Sequence, residues 1–209
     1  MKIRCFLLAC LLGLIHAAHA QTEKGTWALG LNAATGIWPN DPNTISSSTT
    51  RSSFRLTPSA GFFPKKNVFI GLGVPVEFGT TQYRFLGQSG EPPQFTSSSV
   101  GLSLIARRYF SEGRLKPFVH LEGSYSWNAI TSTRDLQVAG LVGRTPATIR
   151  ANAGVGVSYF VGNRLSVDAT ATLGVDDVQD AFRSSKLAPF NRFLLLGIGV
   201  NWYLSPRSK

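Results

Sequence analysis

His120, Glu122 and Ser124 fall at alternate positions in an apolar–polar repeat, which puts all three on one face of an extended segment. A serine activated by histidine, with an acid orienting the imidazole, is the chemistry of acyl hydrolases. The spacing opposes it. At strand rise the three side chains spread over about 13 Å, too far for a hydrogen-bonded triad without help from other segments. Asp176, Asp177 and Asp180 carry the oxygen ligands that Ca²⁺ takes, but their spacing is not that of an EF-hand loop, and a solvated acidic loop explains them. No metal, cofactor or catalytic residue is therefore expected. The remaining candidates are six charges on polar faces: Arg55, Glu77, Arg107, Glu122, Arg150 and Asp168. Three acids and three bases in a closed interior should pair, because an isolated buried charge is costly. The expected role is a structural plug, with a charge-lined solute path as the alternative.

The segments that carry these residues read as strands. Period-two alternation predicts eight, near Gly25–Ile37, Ser53–Phe63, Asn67–Phe85, Thr96–Phe110, Lys116–Ile130, Ala147–Val161, Asn163–Val175 and Asn191–Leu204. In the seventh, Leu165, Val167, Ala169, Ala171, Leu173 and Val175 oppose Ser166, Asp168, Thr170, Thr172 and Gly174. Pro58 and Pro75 each remove a ladder donor and are expected to mark bulges. The Ser/Thr stretch Ser46–Ser53 reads as mobile loop.

Which face meets water decides the class. A soluble ligand-binding barrel turns a polar, Lys- and Glu-bearing face outward. Here the polar faces are mostly Gly, Ser, Thr and Asn, which suit the narrow interior of an eight-stranded barrel. The branched aliphatic faces then meet lipid, and each strand covers the 9–11 residues, roughly, that a tilted membrane crossing requires. Four strands end in aromatic pairs followed by short polar turns: Phe62-Phe63, Tyr109-Phe110, Tyr159-Phe160 and Trp202-Tyr203. Parity assigns Phe110, Tyr159 and Trp202 to a lipid-facing girdle and Tyr109, Phe160 and Tyr203 to the lumen mouth. The opposite ends carry long connections at Trp38–Ser52, Gly87–Phe95, Thr131–Pro146 and Asp176–Phe190, the asymmetry of short periplasmic turns and long external loops. A propeller blade would need four strands in each repeat, and two long ones are present.

Residues 1–20 read as a cleaved signal peptide, and 21–209 as one barrel domain. Lys2 and Arg4 precede the apolar run Cys5–Ile15, and Ala18-His19-Ala20 offers the cleavage site. A lipoprotein box at Leu7-Leu8-Ala9-Cys10 competes poorly, because too few apolar residues separate it from Arg4. Cleavage removes both cysteines, excluding disulfides and thiol chemistry, and leaves His120 as the single histidine. Losing Lys2 and Arg4 from 21 basic residues against 11 acidic takes the net charge from +10 to +8. No basic run or basic helix suggests nucleic acid; anionic headgroups or lipopolysaccharide phosphates suit the scattered cations better. Charged residues make up only 15% of the chain, against about 25% in soluble domains.

Ala106-Arg107-Arg108-Tyr109-Phe110, a turn, then Lys116-Pro117-Phe118-Val119 and Glu122-Gly123 resembles the central hairpin of the small outer-membrane β-barrel domain family, the OmpA-like, OmpX-like and PorT-like barrels. Gly30, the strand Ser53–Phe63 followed by Asn67–Gly73, and the closing Gly197–Leu204 fit the same layout. The resemblance implies an all-β, single antiparallel up-and-down transmembrane barrel of about eight strands in the outer membrane of a Gram-negative bacterium. It implies outer-membrane lipid, lipopolysaccharide and, during biogenesis, the barrel-assembly machinery as partners of a chain that is a monomer. Ser205–Lys209 departs from the terminal aromatic residue on which many such proteins end. The family shares no catalytic motif. The expected role is structural or surface-interacting with a filled lumen and no enzymatic activity; the alternatives are a narrow pore or a path for small hydrophobic molecules, and less favoured, a lipid A-modifying acyl hydrolase that would use His120, Glu122 and Ser124.

Overall fold

A computed structural model describes residues 22–38, 47–85, 94–132, 143–176 and 192–204. Among the described residues nine strands form one antiparallel sheet: β1 (Trp27–Ile37), β2 (Ser47–Lys65), β3 (Val68–Gly73), β4 (Val76–Phe85), β5 (Gln94–Tyr109), β6 (Leu115–Ser132), β7 (Gly143–Phe160), β8 (Leu165–Asp176) and β9 (Arg192–Leu204). Sequential neighbours pair up and down, and β1 pairs with both β2 and β9, so the sheet closes on itself. Both β3 and β4 lie between β2 and β5. They are two halves of one stave, and the barrel has eight. Closure removes every sheet edge, which a membrane interior requires of β structure.

The alternation sorts the faces as lipid outside and polar groups inside. Leu102 and Leu104 of β5, Leu173 of β8 and Leu196 of β9 are exposed, while Ser103, Ile105, Thr172 and Leu195 beside them are buried. The exposed apolar face runs around every stave, far beyond the few hundred Å² that a soluble monomer leaves open. Trp27, Phe62, Phe110, Tyr159 and Trp202 point outward at the end of the short turns. Trp27 stacks on Phe62 with ring centroids 5.6 Å apart, adding a member that the strand-end pairs alone do not reveal. Nearer the other end, Tyr125 and Trp127 form an exposed edge-to-face pair at 5.1 Å.

Several boundaries differ from the sequence expectation. The third predicted strand is broken at Val74-Pro75. Neither Pro58 nor Pro75 makes a bulge: Leu56↔Val76 and Ser59↔Gly73 keep one register across the break. Each proline lacks only the donor, and its carbonyl still accepts, Pro58 from Val74 N–H and Pro75 from Gly101 N–H, both at 2.9 Å. The register shifts fall elsewhere. Phe63-Pro64 is opposed by Phe69 alone, and Pro146-Ala147 by Trp127 alone. Ser47–Ser53 is strand, paired with β4, rather than mobile loop. Likewise β5 begins at Gln94, β6 runs to Ser132 and β7 begins at Gly143, so the first three long connections are shorter than read. The signal segment 1–20, the tips of all four long connections and Ser205–Lys209 lie outside the described residues.

Candidate functional site

The lumen is filled in four layers. Its floor, at the short-turn end, is a ring cluster. Phe63 lies 5.5 Å from Phe69, 5.9 Å from Tyr109 and 6.1 Å from Tyr203, while Phe118 packs on Tyr109 and Phe160 on Tyr203, each at 5.2 Å. Phe63, Tyr109, Phe118, Phe160 and Tyr203 are each at most 2% exposed. Glycines make the room: a Cβ at Gly156 would strike the Phe118 ring, and one at Gly61 or Gly71 the Phe69 ring. Beneath the rings, Lys116 Nζ donates to Thr22 Oγ1 at 2.9 Å and lies over the Phe160 ring. Thr22 in turn donates to the side chain of Asn67, and its carbonyl accepts the Asn67 N–H. Asn67 adopts φ 63°, the left-handed conformation that Asn tolerates and this two-residue turn needs. Beside it Lys66 bridges Glu112 at 2.6 Å and Glu23 at 3.8 Å, and the hydrogen bond and charge of Glu112 hold its ammonium above the ordinary lysine value.

The second layer centres on Asp168. Arg107 Nη1 donates to its Oδ2 at 2.7 Å, as does Asn201 Nδ2 at 2.7 Å, while Ser158 and Ser166 donate to Oδ1. Arg107 also donates through Nε to His120 Nδ1 at 3.2 Å and lies over the Phe118 ring. That bond leaves the His120 proton on Nε2, facing Glu122 Oε2 at 3.7 Å. In the third layer Arg55 pairs with Glu122, whose other oxygen accepts from Asn152 Nδ2 at 3.2 Å. The fourth holds Arg150, which bridges Glu77 and Asp176 and covers the Phe193 ring at 4.8 Å. Arg51 closes this end, 3.6 Å from Asp176 and 4.4 Å above the Trp38 ring.

All six lumen charges read from the sequence point inward, and the structure brings them together as Arg55–Glu122, Arg107–Asp168 and Arg150–Glu77. Phe110, Tyr159 and Trp202 stand on the outer face, 63%, 41% and 47% exposed. Asp176, read as part of an acidic loop, is instead a buried strand residue taken up by two arginines; Asp177 and Asp180 lie outside the described residues. Ser158, Ser166 and Asn201 were legible in principle, since each shares the inward parity of Asp168 on its own or a flanking strand. The hydrolase set does not assemble. His120 is engaged by Arg107 and Glu122, and Ser124 Oγ is buried without a hydrogen bond to either. Among the described residues, a cavity of about 30 Å³ lies in the lumen, bounded by Asn32, Arg55, Thr57, His120, Glu122 and Thr172. That volume has room for a water or two.

The closed eight-stave sheet, lipid-facing exterior and polar, plugged interior define the class: this is the fold of the small outer-membrane β-barrels. Outer membrane protein OprG of Pseudomonas aeruginosa aligns over 90% of this chain and 100% of its own, with TM-score 0.55 and 10% identity. Neisserial surface protein A aligns over 86% and 99%, with TM-score 0.49 and 18% identity. The N-terminal β-barrel domain of Pseudomonas aeruginosa OprF aligns over 88% and 99%, with TM-score 0.46 and 16% identity. At these identities the likeness is one of fold. No family model matches the chain, and no curated protein sequence does.

Proposed function

We propose that this protein is a monomeric outer-membrane barrel of a Gram-negative bacterium, exported by a cleaved signal peptide and serving a structural or surface-interaction role without catalysis. The observation that carries this reading is the aromatic floor: five rings at most 2% exposed span the lumen at its short-turn end, and three charge layers stand above it. A narrow pore or a route for small hydrophobic molecules would need those rings to part. With the lumen occupied, the parts left to meet other molecules are the lipid-facing wall and the long connections. The latter join strands at the end away from the floor, where lipopolysaccharide and envelope partners are met. An enzymatic role is disfavoured because Ser124 makes no hydrogen bond to His120, whose Nδ1 is taken by Arg107.

Display of those connections is testable because the mature chain has no cysteine. Thr133→Cys, in the β6–β7 connection, is expected to react with a membrane-impermeant maleimide on intact cells. Asn163→Cys, in the β7–β8 turn, should react only after the outer membrane is permeabilised. The reverse pattern would overturn the surface-display reading.

A further inference from the structure

Most cations at the short-turn end face water, but two face lipid. Arg108 lies on the outward face of β5 between Ala106 and Phe110, and it is exposed. Lys65 reaches the same wall through a bulge. Along β2 the outward residues have even numbers, through Phe54 and Phe62, while Arg55 and Phe63 are buried. Strict alternation would therefore turn Lys65 into the lumen. The extra residue at Phe63-Pro64 resets the parity: Phe62 pairs with Ile70, and Lys65 then pairs with Val68, on the outward face of β3. Val68 in turn pairs with Arg108. Lys65 and Arg108 thus flank Val68 at one height, two strand spacings or about 10 Å apart. Long side chains converging from that distance span one phosphate.

Among the described residues nothing else neutralises them. Among the described residues neither makes an ion pair, and the two acids at this end, Glu23 and Glu112, are held by Lys66. The pair sits at the level of the girdle residues Phe62 and Phe110, the depth of lipid headgroups. A charge on the lipid-facing wall is costly unless it snorkels to an anion at that boundary.

We propose that Lys65 and Arg108 form a binding site for the phosphate of an anionic glycerophospholipid in the periplasmic leaflet. The occupant is a lipid rather than an acidic protein because both cations project from the wall that the bilayer covers. The Phe63-Pro64 bulge then has a ligand-directed consequence: it turns a lysine out of the lumen and toward the headgroup. The proposal rests on the membrane orientation given above, with the short turns facing the periplasm.

Native mass spectrometry of the full mature protein, titrated in detergent with phosphatidylglycerol or phosphatidylcholine, tests it. Wild type is expected to retain one phosphatidylglycerol in preference to phosphatidylcholine. Lys65→Gln with Arg108→Gln should weaken that retention about thirty-fold, the order expected of two headgroup-proximal cations. Lys24→Gln with Arg164→Gln, which removes two exposed cations elsewhere at the same end, should leave it unchanged. Equal loss in both double variants, or none in the first, overturns the site. Capture of a polyglutamate peptide in place of lipid would overturn the choice of occupant. Heat-modifiable gel migration confirms that each variant is folded. Failure of the cysteine-labelling experiment would reverse the leaflet, and failure of the titration would remove the site, so the two outcomes are separable.

Discussion

Asp168→Ala is expected to lower the unfolding free energy of the reconstituted barrel by about 3–5 kcal/mol, the cost of breaking a buried ion pair from one side. Asp168 is 1% exposed and takes hydrogen bonds from Arg107, Asn201, Ser158 and Ser166, contributed by four staves. Its removal strands a buried guanidinium and three polar groups where water cannot replace the lost acceptor. The expected size comes from that uncompensated charge, not from the worth of the pair itself. Replacing both partners, as Arg107→Met with Asp168→Leu, should therefore recover at least half of the loss. Urea titrations of the two variants and wild type in lipid vesicles measure this. A single variant as stable as wild type, or a double variant worse than the single, would refute the role given to the pair.

The second large effect is opening the floor. Phe63→Ala, Phe160→Ala and Tyr203→Ala together remove the rings that join β2, β7 and β9 across the short-turn mouth of the lumen. Each truncation leaves a cavity costing about 3–5 kcal/mol where the site cannot collapse, and a closed barrel wall collapses little. The charge layers above remain, but they are polar and hydratable once water enters from below. The triple variant should release a small sugar from vesicles, whereas Phe110→Ala, on the lipid side of the wall, should not. Folding is checked by heat-modifiable migration. Absence of leakage from a folded triple variant would move the seal to the charge layers.

Much of this was legible in the sequence because a strand has period two and a membrane barrel makes that period chemical. Ser166 and Asp168 against Val167 and Ala169 is enough to assign faces, and each aromatic pair divides between lipid and lumen by the same rule. Alternation supplies a face but not a height, so it could place Arg55, Arg107 and Arg150 in the lumen without choosing their acids. Those choices follow from the stagger of the staves. Asp176 shows the same limit, since its strand continues one residue past the reading and lands beside Arg150. The prolines misled for a different reason. A missing donor suggests a bulge, yet Pro58 and Pro75 stay in register by using their carbonyls, while the extra residues sit at Pro64 and Pro146. Ser47–Ser53 reads as loop because it lacks apolar residues, but above the bilayer a barrel strand needs backbone partners rather than an apolar face, and β4 supplies them.

Single-channel recording shows whether the lumen is sealed by its own side chains. Purified mature protein, refolded and shown by heat-modifiable migration to be a closed barrel, is inserted into a planar bilayer under applied voltage. The wild-type protein is expected to give a flat baseline, with current only when the floor rings are removed. Steady, discrete conductance steps from the wild-type barrel would contradict it.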